Sequence, residues 1–348
     1  MSERRMKAVF RPTLVALLLA AAELLGGCWS PSTPEVVVYT SLDEEFSDPI
    51  FAEFTAQTKL DVRPKFDTES TKTVGLAEAI LAERGRPRCD VFWNNEILHT
   101  LRLERDGLLQ AYHCPLADSY PAMYRSPQGL WYGFAARARV LIVNTKLVPA
   151  AERPESILDL TAAKWRGRCG MAKPLFGTTA TQAACLFALW GDEKAKDFFQ
   201  RLKANDVQIM SGNKQVALAV AAGRLAFGLT DTDDAVTEQE KGAPLVIVYP
   251  DQEAQEMGTL FIPNTLSILR GSPHPQAARR LIDYLLSPPV EIALAEGPSA
   301  QIPLGAQVHV KLRVETPRTV RPMQVDFPAA AEKWDVAAAF LRDLFAGG

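Results

Sequence analysis

Apolar and polar residues alternate along the chain in blocks that predict strands followed by helices. Residues 35–40 contain a continuous apolar run, which is typical of a parallel strand buried on both faces, and residues 60–64 and 89–93 are predicted as the next two strands. Residues 47–49, Ser-Asp-Pro, offer a helix N-cap with proline near the first turn. The repeating order of strand and helix predicts an α/β fold with a mostly parallel sheet.

The same pattern continues to the end of the chain. Further strands are predicted at residues 139–144, 169–172, 225–229, 245–249 and 265–269, and further helices at 71–85, 96–106, 181–190, 215–222, 275–286 and 336–345. With 348 residues the chain is long enough for two lobes at roughly 100–200 residues each. Its net charge of -3 gives no reason to expect a nucleic acid as a partner.

The first 28 residues have the composition of a bacterial export signal. A basic start and a short apolar run precede Leu25-Gly26-Gly27-Cys28, which resembles a lipobox whose cysteine is lipidated. A transmembrane anchor is the alternative, but the apolar run is too short for a ~30 Å hydrocarbon core. A plain secretory signal is a second alternative. We therefore expect a lipid-anchored protein in the periplasm or at the cell surface, with residues 29–34 as a linker.

Two groups of side chains leave alternatives open. Cys89, Cys114, Cys169 and Cys185 form either two disulfides or four small buried apolar positions, and their spacing matches no zinc site. The aromatic residues between positions 120 and 134 form either a stacking wall for an organic ligand or part of the core, and core packing is favoured.

Six segments stand in a characteristic order. They are VVVYTS at 36–41, CDVFWNNE at 89–96, GLLQ at 107–110, RARVLIVN at 137–144, WRGR at 165–168 and PNTLSI at 263–268. Together they resemble the solute-binding proteins of ABC importers, in particular the ferric-ion-binding proteins and their thiamine- and phosphonate-binding relatives. The resemblance implies a periplasmic-binding-protein fold, in which two α/β lobes joined by crossing strands close on a ligand cleft. It places the N-lobe at 35–137 plus 264–307 and the C-lobe at 138–263 plus 308–348.

Oxygen-rich side chains follow three of the predicted strands. Ligands bind beyond the carboxyl ends of strands in open α/β sheets, so these side chains are candidates for the ligand site. The candidates are Ser41, Asp43, Asn95, Glu96, Asp231, Thr232, Asp233 and Asp234, with Asp43, Glu96, Asp231 and Asp233 as metal ligands. In an extended segment Asp231 and Asp233 point to the same side. Their repulsion favours a bound hard cation, although helix capping and turns are ordinary alternatives for such residues.

The acidic loop departs from the family pattern. Ferric-binding relatives usually place two adjacent tyrosines where this chain has Thr232 and Asp233, and many carry a histidine where it has Asp43. Carboxylates would therefore have to bind Fe³⁺, and a divalent metal or an organic cation would satisfy the same acids.

A second subsite is predicted at the start of the helix near residue 181. Gly177, Thr178 and Thr179 resemble the loop that holds a synergistic anion in metal-binding relatives, and Arg139, Ser211 and Asn213 are candidate helpers. Capping of the helix by Thr179 or Thr181 is the alternative.

The chain is therefore expected to be a monomeric receptor that delivers a metal ion, with iron first by resemblance, or a small cation to an inner-membrane permease. It needs no resident cofactor beyond a bound metal ion with its anion. The alternatives are a receptor for thiamine, a polyamine or a phosphonate, a carboxylate-dependent hydrolase, or a sensory or adhesion lipoprotein. The hydrolase is disfavoured, because the sequence has no Gly-x-Ser-x-Gly, His-Glu-x-x-His or P-loop motif.

Overall fold

The computed structural model describes residues 34–67 and 74–346, and these residues build one sheet of ten strands with flanking helices. The predicted signal at 1–28 with Cys28, and most of the linker at 29–34, lie outside the described residues. The strands are β1 (Glu35–Thr40), β2 (Asp61–Phe66), β3 (Val91–Asn94), β4 (Leu109–Gln110), β5 (Tyr132–Asn144), β6 (Cys169–Ala172), β7 (Gln208–Met210), β8 (Phe227–Asp231), β9 (Leu245–Val248) and β10 (Phe261–Leu269). The helices are α1 (Glu44–Thr58), α2 (Val74–Ala82), α3 (Leu98–Arg105), α4 (Gly177–Trp190), α5 (Asp192–Ala204), α6 (Asn213–Ala221), α7 (Thr232–Glu240), α8 (Pro275–Leu285), α9 (Pro288–Glu296) and α10 (Phe327–Leu344).

The sheet is mixed, and its parallel parts lie on either side of two antiparallel strands. The strand order is β2-β1-β3-β10-β5-β8-β6-β7, with β4 beside β10 and β9 beside β5. β1 is parallel to β2 and β3, and β6 is parallel to β7 and β8. The predicted α/β class is confirmed. The prediction of a mostly parallel sheet is wrong, because β5 and β10 run antiparallel to their neighbours.

β5 connects the two parallel parts by changing partners along its length. Residues 132–138 pair with β10, and residues 139–144 pair with β8 and β9. All of its residues are buried, as expected for a strand covered on both faces. The segments at 137–144 and 263–268, which resembled crossing strands, lie in β5 and β10. The lobe boundaries proposed from the resemblance stay a prediction.

Two helix starts differ from the sequence interpretation. α1 begins at Glu44, so the predicted cap at residues 47–49 is wrong and Pro49 lies inside the helix. The backbone N–H groups of Phe46 and Ser47 both donate to the Asp43 carbonyl, which sets the first turn three residues earlier. α10 begins at Phe327, not at 336, because the Asp326 side chain accepts from the Ala329 backbone N–H at 3.0 Å.

The cysteines and the aromatic residues for which the sequence allowed two interpretations are part of the core. Cys89, Cys114, Cys169 and Cys185 are buried and unbridged. The aromatic residues between 120 and 134 are buried as well, in agreement with core packing. Among the described residues, no helix combines the length and the apolar character needed to cross a bilayer.

A buried carboxylate fixes the irregular point of β5. Ala135 has φ of 40°, a conformation that costs a non-glycine residue ~1–3 kcal/mol. Glu291 on α9 accepts hydrogen bonds from the backbone N–H groups of Ala135 at 2.8 Å and of Leu304 and Gly305 at 2.9 Å each. One carboxylate therefore holds β5, α9 and the segment after α9 together.

Replacing Glu291 by Ala should lower the free energy of unfolding by about 3 kcal/mol, because three buried N–H groups lose their acceptor. Urea denaturation followed by circular dichroism measures this change. Glu296→Ala on the exposed face of the same helix is the matched control, expected to fall within about 0.5 kcal/mol of wild type. A similar small effect of Glu291→Ala would show that this contact does not fix β5.

Candidate functional site

A small cavity lies where β6, β7 and β8 end and where the loops after β1 and β3 approach them. Its volume is about 60 Å³. It is lined by Asp43, Asn95, Arg137, Ala172, Lys173, Phe176, Gly177, Thr178, Ser211, Gly212, Asn213, Lys214, Asp231, Asp233 and Asp234. A larger cavity of about 770 Å³ lies beside residues 303–324, but none of the predicted ligand residues lines it.

Asp231 is held by a buried ion pair that follows from strand register. Arg139 on β5 stands directly opposite Asp231 at the end of β8, and its Nη1 lies 2.7 Å from Asp231 Oδ1. Thr178 Oγ1 donates to Asp231 Oδ2 at 2.6 Å, and Asn213 Nδ2 donates to it at 3.0 Å. The pair therefore ties β5 and β8 to the starts of α4 and α6.

The charge environment of Asp231 keeps it ionised. Burial raises its pKa, but the guanidinium groups of Arg139 and Arg137 outweigh burial and hold this pKa below its ordinary value. With these partners, Asp231 serves first as the counter-ion of Arg139.

Asp233 and Asp234 lie in the first turn of α7, so the extended segment considered from the sequence is wrong. The chain turns into a helix directly after Asp231, and acidic side chains are favourable at the start of a helix. Oxygen atoms of Asp231, Asp233 and Asp234 lie within 4.8 Å of one another, which is close enough for a shared metal ion. Burial raises the pKa of Asp233, and the neighbouring Asp231 carboxylate adds to the rise against the opposing effect of Arg137.

Arg137 is a second buried guanidinium, and it faces the acidic cluster. Its Nη1 lies 3.3 Å from Asp233 Oδ2 and 3.6 Å from Asp231 Oδ2, and its Nη2 donates to the Asn95 carbonyl. Since Arg137 and Arg139 are two residues apart on β5, they lie on the same face of the strand.

Positive groups also line the side of the cavity formed by α4 and α6. α4 starts at Gly177 and α6 at Asn213, and Lys173 and Lys214 stand beside them. The hydroxyls of Thr178 and Thr179 do not cap α4. They contact Asp231, Arg139 and Asn213 instead, and the N-cap position Phe176 makes no side-chain cap. The first turns of two helices therefore line one cavity, and helix N-termini favour a negative group.

A model of the family described as bacterial extracellular solute-binding protein matches residues 99–329 of this chain. The chain belongs to this family. It is 26% identical over 302 residues to iron uptake protein A1 of Synechocystis, covering 80% of this chain and 81% of that protein. It is 23% identical over 289 residues to a putative 2-aminoethylphosphonate-binding periplasmic protein of Salmonella typhimurium, covering 81% and 82%.

The fold of this solute-binding protein is that of known periplasmic receptors. Iron-bound HitA from Pseudomonas aeruginosa superimposes with a TM-score of 0.81 at 25% identity, over 90% of this chain and 99% of that one. The predicted periplasmic-binding-protein fold is thereby confirmed. The assignment to the extracytoplasmic solute-binding proteins of ABC importers is confirmed by the same comparisons.

The solute-binding protein brings most of the predicted ligand residues to one cavity. Those that line it are Asp43, Asn95, Gly177, Thr178, Asn213, Asp231, Asp233 and Asp234. The other four predicted ligand residues do not line the cavity, namely Ser41, Glu96, Thr179 and Thr232. Ser41 Oγ accepts from the Asn95 backbone N–H at 2.9 Å, and Thr232 Oγ1 accepts from the Ala138 N–H at 3.1 Å. The ligand role of all these residues stays a prediction.

Glu96 already has a full set of contacts. Its carboxylate accepts from the backbone N–H groups of Leu98 and His99 at the start of α3, and from Thr181 Oγ1 at 2.7 Å. It is fully buried and does not line the cavity. In this geometry Glu96 caps α3 and contacts α4, and its role as a metal ligand stays a prediction.

The sequence interpretation missed Arg137, Lys173 and Lys214 as cavity residues. A signal for Arg137 was present, because two arginines two positions apart in an apolar strand must both be buried and therefore need buried partners. The acidic run ending β8 supplies these partners. Lys173 and Lys214 carry no such signal in the sequence.

Asp231→Asn should lower the free energy of unfolding by about 3 kcal/mol or more, because the buried guanidinium of Arg139 loses its counter-ion. Chemical denaturation of the ligand-free protein measures this. Asp197→Asn on the exposed face of α5 removes the same charge and should change stability by less than about 0.5 kcal/mol. Equal effects of both substitutions would contradict the role of Asp231 as an internal anchor.

Proposed function

We propose that this solute-binding protein captures a hard metal ion, with ferric iron as the first candidate, and delivers it to an ABC permease without chemical change. The observation that carries the proposal is the cluster of Asp231, Asp233 and Asp234 oxygens within 4.8 Å at the cavity. Carboxylate oxygens suit hard cations. Iron uptake protein A1 and iron-bound HitA, which it resembles, support iron as the cargo.

The size of the cavity supports an ion in preference to a large organic solute. Its volume of about 60 Å³ is far below the roughly 300–1,000 Å³ of pockets for drug-sized ligands. About 10–15 Å³ of such volume is enough for one water molecule, so the cavity has room for an ion with a small companion.

We propose that the companion is a small anion such as carbonate. The starts of α4 and α6, together with Lys173 and Lys214, provide positive groups on one side of the cavity. The carboxylates of Asp231, Asp233 and Asp234 line the same cavity and would hold the metal, and Asp43 lines the cavity as well. A metal ion with its anion would satisfy both sets of charges.

The pairing of opposite charges also supports a second candidate, an aminoalkylphosphonate. Its ammonium group would face the carboxylates and its phosphonate the helix starts. The similarity to the putative 2-aminoethylphosphonate-binding protein supports this alternative. Binding of such a ligand requires a wider cavity than the one described.

Asp233→Ala should weaken binding of ferric iron, supplied as its nitrilotriacetate complex with bicarbonate, by at least about a hundredfold, because one carboxylate ligand is lost from a small set. Titration calorimetry and thermal shift measure the change, since a ligand stabilises the form that binds it. Asp197→Ala is the matched control and should bind as wild type does. Wild-type stabilisation by 2-aminoethylphosphonate and not by any metal would replace the first candidate with the second.

We also propose that Cys28 is lipidated, that it becomes the first residue once the export signal is removed, and that the lipid tethers the receptor beside its permease. Cys28→Ser should move the protein from the detergent phase to the aqueous phase in a Triton X-114 partition of whole cells, because the lipid anchor is lost. Cys114→Ser, which changes a buried cysteine, is the control and should leave the partition unchanged. Wild-type protein found in the aqueous phase would contradict the anchor.

A further inference from the structure

The guanidinium of Arg137 contacts the acidic cluster at the cavity. Nη1 lies within 3.6 Å of carboxylate oxygens from both Asp231 and Asp233, and Nη2 donates to the carbonyl of Asn95. The side chain is only 6% exposed, and it lines the cavity. Its Nε is buried without a hydrogen-bond partner among the described residues. Arg137 is therefore a buried cation with one donor left unsatisfied beside the ligand position.

Binding of a cation to the acidic cluster must change the contact between Arg137 and Asp233. Hard metal ions lie about 2.0–2.6 Å from their carboxylate oxygens, so a metal held by Asp233 would stand close to Nη1. Like charges at that separation in a buried site repel strongly. The guanidinium must shift away from Asp233, or the cation must bind less tightly.

We infer that Arg137 is a selectivity residue of this site, where its guanidinium competes internally with a cationic ligand for Asp233. The inference rests on the proposed function, because it assumes that Asp233 contacts the cation. It also defines the class of ligand. A ligand that brings an anionic group offers the displaced guanidinium a new partner, and it can use the unsatisfied Nε, whereas a bare cation offers neither.

Asp231 does not depend on Arg137 in the same way. It keeps Arg139 at 2.7 Å and the hydroxyl of Thr178 at 2.6 Å when Arg137 moves. Release of Arg137 therefore frees Asp233 in particular and leaves the anchor between β5 and β8 in place. The two arginines have separate tasks although they lie on one face of one strand.

The test is the affinity of Arg137→Gln for Mn²⁺ and for ferric iron from its nitrilotriacetate complex, each with and without bicarbonate. Without bicarbonate the variant should bind metal about tenfold more tightly than wild type or better, because a charge at this distance changes the proton affinity of a carboxylate by about 10- to 1,000-fold. Bicarbonate should strengthen binding to wild type and have less effect on the variant. Titration calorimetry gives the dissociation constants, and thermal denaturation of the free variant checks folding.

Arg201→Gln is the matched control, because it removes the same charge from the exposed face of α5, outside the cavity, where the acidic neighbour is Asp197, 3.9 Å away. It should change metal affinity by less than about threefold, as expected for a solvent-exposed charge. If Arg137→Gln does not fold, Arg137→Lys replaces it. One ammonium cannot reach both Asn95 and the carboxylates, so this variant should show a smaller gain in the same direction.

Tighter metal binding by Arg137→Gln but not by Arg201→Gln supports internal competition. Weaker metal binding by Arg137→Gln, or an equal gain in metal affinity in both variants, overturns the inference. If the wild-type protein binds metal in either case, the proposed function still stands. If neither wild type nor Arg137→Gln binds any metal, both the inference and the proposed function are overturned.

Discussion

The buried ion pair between Arg139 and Asp231 is the constraint on which the rest of the site depends. It forms at the point along β5 where the neighbouring strand changes from β10 to β8. Through hydrogen bonds of Asp231 with Thr178 and Asn213, the pair also contacts the starts of α4 and α6. Replacing a buried ion pair by apolar side chains often leaves stability unchanged or improves it, so the main contribution of this pair is to position the elements that it joins. It fixes where β8 ends and therefore where the acidic turn of α7 begins.

The cavity combines opposite charges instead of presenting a uniformly acidic surface. Carboxylates that lie close together in a buried site repel one another, and the charges of Arg137 and Arg139 offset part of this repulsion. The same compensation reduces the attraction for a lone cation. Stability of the empty site and preference for ligands of mixed charge thus have one electrostatic cause.

The sequence predicted those parts of the fold that depend on local patterns. β1 and β6 are found where continuous apolar runs place them, and the strand-end positions of Asp43, Asn95 and Asp231 follow from the same patterns. Features set by distant contacts were not predictable. The start of α7 was missed because Thr-Asp-Asp after a strand is also typical of a loop, and the contact of Glu96 with Thr181 was not foreseen because it spans 85 positions.

The position of β10 has a consequence for how the chain reaches its native state. β10 lies between β3 and β5 in the sheet although it is the last strand to be synthesised. Neither half of the sheet can join the other until residue 269 is available, and such distant pairings slow folding. The two halves of the sheet therefore stay apart until most of the chain has been synthesised.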